Sequence, residues 1–446
     1  MEEKDSAVKV FKVFLKRVQE VNLPLILLRP REISETISYT GDYDFFIPPE
    51  FNDSLLSVMF NISVATNSSF TITRTKHGKV DITLYSRSDN QSISLEIWNI
   101  LSVKDPFKKK LRYILPEKLT SHIIEKEAGA FSLSLDVEAL FYLSHLYTGG
   151  KKLTTPLVCE RIDYYANALK DANSEYSILF YDLQEKKTDI KTVAHRANME
   201  LVSKKILPLK NDKNEMFTEM KLKAASTWNR TKRKLLSRIR LVPVMGPDGV
   251  GKTSLIEDTI KHSSKKIVFF RFKKTFRTSP LYRLFFPILK NKLRKEMGIK
   301  THIKKTEVDY RYGNFVIFNA FLFYPFRLIR NIFSRQFVFV DRYFYEYLLK
   351  NIKIKSRKPT LRSDWKFWLA FTSRAYMVIH LDAPTETILQ RKAELDEESI
   401  EAYREYLFKI YLKKPFMVYN YINTDLPLEQ CRNLLLDICE KNIKCS

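Results

Sequence analysis

The sequence predicts an α/β protein: a C-terminal parallel sheet flanked by helices, an N-terminal α+β domain, and a helical region between them. Three observations predict it. The glycine-rich run "GPDGVGKTS" sits between a strand-like segment and a helix-like one. After it, apolar strand-like runs alternate with helical periodicity, the pattern of a parallel sheet. Before residue 115, short runs rich in β-branched and aromatic residues alternate with turns instead.

Length and composition set the frame. At 446 residues the chain is too long for one ordinary core, so two or three domains are expected. It is 45% hydrophobic and 28% charged, which is globular. The four cysteines, Cys159, Cys431, Cys439 and Cys445, form no C-x-x-C pair. They are expected to be reduced thiols of a cytoplasmic protein, neither a disulfide framework nor a zinc site. The start, "MEEKDSAVKV", lacks the apolar core of a signal peptide. The most apolar run, Phe315 to Phe326, is shorter than the ~18–20 residues of a membrane span and is expected to be a buried helix. Net charge is +25, divided as +2 over residues 1–120, +6 over 121–240 and +17 over 241–446. That field favours an anionic partner: a phosphorylated or sugar-like acceptor, an anionic membrane surface at the inner face, or nucleic acid. For nucleic acid no recognition motif is present. Any single lysine can equally be solubilising.

The elements follow in order. "AVKVFKVFLKRVQEV" has helical amphipathicity, and "LPLILLR", "YDFFIP", "FTITRT", "VDITLYS" and "SISLEIWNI" read as strands, giving a domain over 1–115. From 116 to 238 the texture is helical, opening at Pro116 and ending in the basic "KLKAASTWNRTKRKLLSRIR", read as a linking helix. The sheet domain covers 239–446. There "RLVPVM" is a strand, although Pro243 forfeits a ladder bond and suggests a strand start or bulge.

Gly246, Gly251, Lys252 and Thr253 fill each fixed position of G-x-x-x-x-G-K-[ST], with Gly249 and Ser254 in the same cradle. Glycines let backbone N–H groups wrap phosphates at a helix N-terminus. Lys252 is suited to neutralise the β- and γ-phosphates of ATP, and the Thr253 hydroxyl to ligate Mg²⁺. In "RQFVFVDRYFYEYLL", Asp341 stands at the carboxyl end of a buried strand, where open α/β sheets place chemistry. It can hold the Mg²⁺ water shell or take a proton, and Arg342 beside it can clamp a phosphate. "YMVIHLDAPTETILQRKAE" then gives a strand, a turn and a helix bearing Arg391, a cation placed to close over transferring phosphate.

"GPDGVGKTS", "VFVDRY" and "IHLDAPTETILQRK", spanning roughly 240–446, resemble the thymidylate kinase family, in particular thymidylate-kinase-like domains of bacterial surface-polysaccharide gene clusters. The resemblance implies a kinase. It implies that Asp248 faces the acceptor sugar, that Asp341 and Arg342 serve magnesium or catalysis and the acceptor phosphate, and that Arg391 opens the lid helix. Two departures follow. "IVFFRFKKTFRTSP" supplies Arg271 but no Arg-Glu-Pro signature. In the helix before the Asp-Arg strand, the arginines Arg327 and Arg330 come late and aromatics dominate. The donor half is intact and the acceptor half rebuilt, so the expected acceptor is a sugar, glycolipid or nucleotide other than thymidylate. From Arg271 to Lys305 stand twelve basic residues and one acid, Glu296, interleaved with "LYRLFFPIL". This segment suits a polyanionic sugar or anionic lipid, or else is a solvated helix pair.

In "ISYTGDYDFFIP", Asp42 and Asp44 share one face of a strand. With Glu96 or Asp81 as third acid they would complete a two-metal site. This resembles the nucleotidyltransferase-like superfamily over 1–115, without the usual Gly-Ser before the acids. Nucleotidyl transfer regulated by an ATP-binding domain, a degenerate binding domain, and plain turn chemistry stay open. So does a nucleotide-binding switch without small-molecule kinase activity.

Overall fold

A computed structural model of the 446-residue chain describes residues 7–28, 42–76, 78–85, 92–107, 111–114, 116–125, 131–207, scattered positions between 220 and 231, 240–264, 267–298, 303–334, 337–350, 360–371, 375, 377–392, 395–413 and 418–444. The linking helix lies largely outside them. The chain forms two compact units, residues 1–59, 75–83 and 91–229 in the first, and 60–74, 84–90 and 230–446 in the second.

In the first unit, helix α1 (Ala7–Glu20) buries Val10, Phe11, Phe14, Leu15 and Val18 on one stripe, as 3.6-residue periodicity requires. Strands β1 (Ile26–Leu27) and β2 (Asp42–Phe46) precede α2 (Asn52–Ala65), a helix the strand-dominated reading did not anticipate. In sequence there follow β3 (Ser69–Lys76), most of which belongs to the second unit, then β4 (Lys79–Tyr85), β5 (Ser92–Trp98), β6 (Ser102–Lys104), β7 (Leu111–Tyr113), the short helix α3 (Pro116–Leu119), β8 (Ile123–Glu125) and β9 (Phe131–Leu133). This unit's sheet runs β4, β5, β2, β1, β9, β8. Strand β2 is parallel to β5, pairing Asp44 with Glu96, and antiparallel to β1. Helices α4 (Leu135–Thr148), α5 (Pro156–Asp171), α6 (Ser177–Gln184) and α7 (Ile190–Ser203) gather a core around Leu140, Leu143, Tyr165, Phe180 and Leu201. Pro156 stands at the first turn of α5, where its missing N–H costs nothing. Asp189 caps α7, accepting from the Thr192 N–H at 2.7 Å.

The second unit is the parallel sheet. Its elements are β10 (Leu241–Met245), α8 (Lys252–His262), β11 (Ile267–Arg271), α9 (Phe272–Arg277), α10 (Pro280–Met297), α11 (Lys305–Arg311), α12 (Gly313–Ser334), β12 (Phe337–Asp341), a 3₁₀ turn (Phe344–Leu348), the short pair β13 (Leu349–Lys350) and β14 (Thr360–Leu361), α13 (Trp365–Phe371), β15 (Met377–Asp382), α14 (Thr385–Arg391), α15 (Glu397–Lys413), β16 (Val418–Asn423) and α16 (Leu428–Lys444). Strand order is β11, β12, β10, β15, β16, β3. The first five are parallel, and β3 runs antiparallel to β16. Strands β10, β12, β15 and β16 are buried along their whole length, because a parallel sheet is covered on both faces. Pro243 stays inside β10, paired with Val340 of β12, while pairing with β15 runs over Val244 and Met245. The proline thus falls just before the second ladder.

The run Phe315–Phe326, expected to be a buried helix, is only half so. Val316, Ile317, Asn319 and Ala320 are buried, but Phe318, Phe321 and Leu322 are exposed. One face of a helix meets the body, and composition alone cannot say that the other face is bare. Among the described residues no helix is long and apolar enough to cross a membrane.

One polar residue in this sheet is structural. Asn420 on β16 accepts from the Thr71 hydroxyl at 2.9 Å and donates to the Val378 carbonyl at 3.1 Å, tying β3, β16 and β15 together. Replacing Asn420 with Ala leaves the buried Val378 carbonyl short of this donor. It should destabilise the unit by about 1–3 kcal/mol, read as a lowered melting transition.

Candidate active site

The site grows from the carboxyl end of β10. After Met245 the chain must turn at once into α8, and glycines make the turn feasible. Gly246 has φ +150°, and a Cβ there would stand 2.2 Å from the Leu381 carbonyl oxygen of β15. Gly251, at φ +85°, leads left-handed into the helix. Gly249 lies under α14, where a Cβ would meet the Ile388 carbonyl oxygen at 3.0 Å. Thr253 is half-buried in the first turn of α8, and Ser254 beside it is exposed.

Lys252 folds back over its own loop. Its ammonium donates to the Gly246 and Pro247 carbonyls at 2.6 and 2.8 Å and lies 3.6 Å from the Asp248 carboxylate. Burial, then the Arg342 charge, lowers its pKa to about 8, against the opposing pull of Asp248, Glu346 and Asp341. Loop, lysine, both strand-end residues and a further acid therefore share one field.

Asp341 ends β12, level with Val244 of β10 and Arg271 of β11. It is nearly buried, with the Arg271 Nε at 3.9 Å. Arg342 follows in a left-handed conformation, φ +63°, that costs a non-glycine residue on the order of 1 kcal/mol. Its N–H bonds the Val244 carbonyl at 3.2 Å, fixing the turn. The guanidinium is thereby aimed at the loop, where it pairs with Asp248 and also donates to the Tyr310 hydroxyl at 2.8 Å and Glu346 at 3.2 Å.

Glu346 is the residue that motif reading missed. It is wholly buried and accepts from the Tyr310 hydroxyl at 3.0 Å, from Arg342, and from the Tyr403 hydroxyl. The Tyr403 oxygen in turn accepts the Gly246 N–H at 3.2 Å. Gly246, Tyr403, Glu346, Arg342 and Asp248 thus form a closed circuit that begins and ends on the phosphate loop. Burial and then the Glu346 charge push both phenols well above the usual tyrosine range, so they act as donors. A usable signal was present: an acid four residues after Arg342 inside the aromatic run "YFYEYL" needs buried partners.

The structure gathers Gly246, Asp248, Lys252, Asp341 and Arg342. Arg391 stands elsewhere, donating to the Thr424 carbonyl at 3.1 Å, while the Thr424 hydroxyl donates to Val250 of the loop at 2.8 Å. At the carboxyl end of β15, Asp382 holds Arg404 and accepts from the Tyr421 hydroxyl at 2.6 Å. Between α9 and α11, Arg277 pairs with Asp309, which also accepts from the Tyr282 hydroxyl at 2.7 Å. Burial and the charges of Arg342, Arg277 and Arg271 lower the pKa of Lys273. The side chains of Arg327 and Arg330 lie outside the described residues.

In the first unit, Asp44 accepts from the Trp98 indole at 3.4 Å. Glu96 and Asp81 share the Lys79 ammonium at 2.7 and 3.0 Å. Burial opposes the Lys79 charge, but these two partners prevail and raise its pKa. The Asp42 side chain lies outside the described residues. Among those described, no three acidic, imidazole or thiol groups gather to hold a metal.

The sequence matches no family model and no curated protein. Among solved structures it is similar to deoxyadenosine kinase from M. mycoides with bound dATP, at 14% identity and a TM-score of 0.28, over 45% of this chain and 99% of that one. The same kinase with bound dCTP matches at 14% identity and a TM-score of 0.27, with the same coverage. Likenesses so distant carry no argument about chemistry.

The lowered pKa of Lys252 has a measurable consequence. Phosphates placed beside the ammonium raise its pKa, so nucleotide binding should take up protons above pH 7. Calorimetry in buffers of different ionisation enthalpy should find about half a proton taken up at about pH 8, rising toward one at about pH 9. Uptake that does not grow over this window would show that Lys252 does not meet the phosphates.

Proposed function

We propose that the second unit is an ATP- and Mg²⁺-dependent phosphotransferase of the thymidylate kinase-like class, acting on a sugar, glycolipid or nucleotide acceptor other than thymidylate. One observation carries the reading. A complete phosphate loop, with its lysine buried at a helix N-terminus, meets Asp341 and Arg342 at the carboxyl ends of adjacent parallel strands. The residues present fit the nucleotide. Loop N–H groups and Lys252 would hold the phosphates; the Lys252 ammonium donates here to two loop carbonyls. Thr253 and Asp341 would hold Mg²⁺, which neutralises charge as the phosphoryl group departs.

The chain's own side chains supply the rest. Asp341, paired with Val244 at the end of the strand that leads into the loop, suits orientation of an acceptor hydroxyl or acceptance of its proton. Arg342, preset by its backbone and held by Glu346, stabilises charge developing on the transferring group. Arg391 would contribute only after leaving Thr424. In the first unit, the Lys79 ammonium between Glu96 and Asp81 favours a degenerate nucleotidyltransferase-like binding domain over an active two-metal centre. A cytoplasmic location accords with free thiols at Cys159, Cys431 and Cys439.

Labelled ATP offered with phosphorylated sugars, nucleosides and nucleotides tests the reading. Transfer should appear with one acceptor class and fall by roughly a hundredfold or more in Lys252→Ala and Asp341→Asn. Unchanged turnover in the purified Lys252→Ala protein would sink the assignment. ATP hydrolysis that ignores every added acceptor would favour a nucleotide-regulated switch instead.

A further inference from the structure

Two packed helices of the second unit carry an apolar face that the phosphotransfer chemistry leaves unused. On α10, Leu284 is 64% exposed and Ile288 59%, with Phe285 beside them. On α12, Phe318 is 49% exposed, and Phe321 and Leu322 are bare as well. The two sets are joined by Phe315, whose ring lies 5.8 Å from that of Phe285 and one helical turn from Phe318. Scattered exposed hydrophobics are ordinary, but six large side chains on two adjoining helices form a patch.

Charge says what the patch fits. The Leu284–Ile288 stripe continues at helical spacing into Lys292 and Lys295, both exposed, with exposed Arg283 and Arg294 on the neighbouring row. Glu296, the sole acid of α10, is held by Arg311 at 2.9 Å. Residues 313–323 of α12 carry no charge at all. A bare apolar centre with a cationic flank, four cations against the one acid Glu296, is the pattern of a helix lying at a lipid interface. A second copy of this chain would set the same cations against one another across a two-fold axis.

We propose that this α10–α12 face docks on an anionic phospholipid bilayer, with Leu284, Phe285, Ile288, Phe318, Phe321 and Leu322 in the headgroup boundary and Lys292, Lys295, Arg283 and Arg294 on lipid phosphates. The attachment is peripheral. Only Thr278 and Ser279 separate α10 from α9, which carries Lys273 and Arg277. The docked surface and the acceptor side therefore belong to one continuous segment.

Flotation of the full chain with phosphatidylcholine vesicles, with and without phosphatidylglycerol, tests the proposal without nucleotide. The protein should float with the anionic vesicles, stay behind with the neutral ones, and be released by salt. Leu284→Asp with Ile288→Asp should weaken binding at least ~tenfold. Lys292→Glu with Lys295→Glu should lose roughly fivefold or more per cation. Both variants change exposed positions, so their melting transitions should match wild type. The proposal is overturned if wild type does not float at low salt, or if both variants float as wild type does. It is equally overturned if light scattering finds a dimer that Leu284→Asp with Ile288→Asp splits while vesicles bind neither form.

Discussion

The Glu346 carboxylate has no exposed surface, and a charge so placed costs several kcal/mol unless its lone pairs are met. Three donors meet them, and each comes from a different element: Tyr310 from α11, Tyr403 from α15, and Arg342 from the end of β12. Because Tyr403 also takes the Gly246 N–H and Arg342 also takes Asp248, the phosphate loop is clamped at two points by one anion. The loop's shape is therefore a property of the surrounding helices as much as of its glycines. Removing any donor would leave the carboxylate partly bare and loosen both clamps at once.

The same circuit explains the left-handed Arg342. A side chain in an ordinary conformation at that position would point away from the loop, so the backbone accepts a local cost that the buried ion pairs offset. It also explains the lowered pKa of Lys252, which is desolvated and faces the Arg342 cation. The first unit uses the opposite sign of this device. There a nearly buried lysine, Lys79, is held by two carboxylates, Asp81 and Glu96. The acids that pattern reading selects as metal ligands are in part the counter-ions of that lysine.

The legible parts of the chain are those set by local rules. The parallel strands are visible because a strand covered on both faces must be continuously apolar, as in "FVFV". The loop is visible because close phosphate approach demands glycine at set spacings. Helix α2 was hidden because its apolar residues show little helical periodicity among the neighbouring strands. The Glu346 circuit was hidden for another reason. Its members span 157 residues from Gly246 to Tyr403, and no spacing rule connects them. Arg391, which the resemblance sets at a lid helix, is held by Thr424, whose hydroxyl donates to Val250 of the loop.

The charges around α9 are unevenly balanced. Arg277 is matched by Asp309, and Arg342 by Asp248 and Glu346, so neither is held for a ligand alone. Lys273 differs. Three arginines and burial depress its pKa, which means that an anion brought among them would be met by cations already pressed together. Arg271, half-exposed and 3.9 Å from Asp341, stands on the same wall. A planar uncharged base gains little from such a wall, whereas a phosphate or carboxylate relieves the repulsion among its cations.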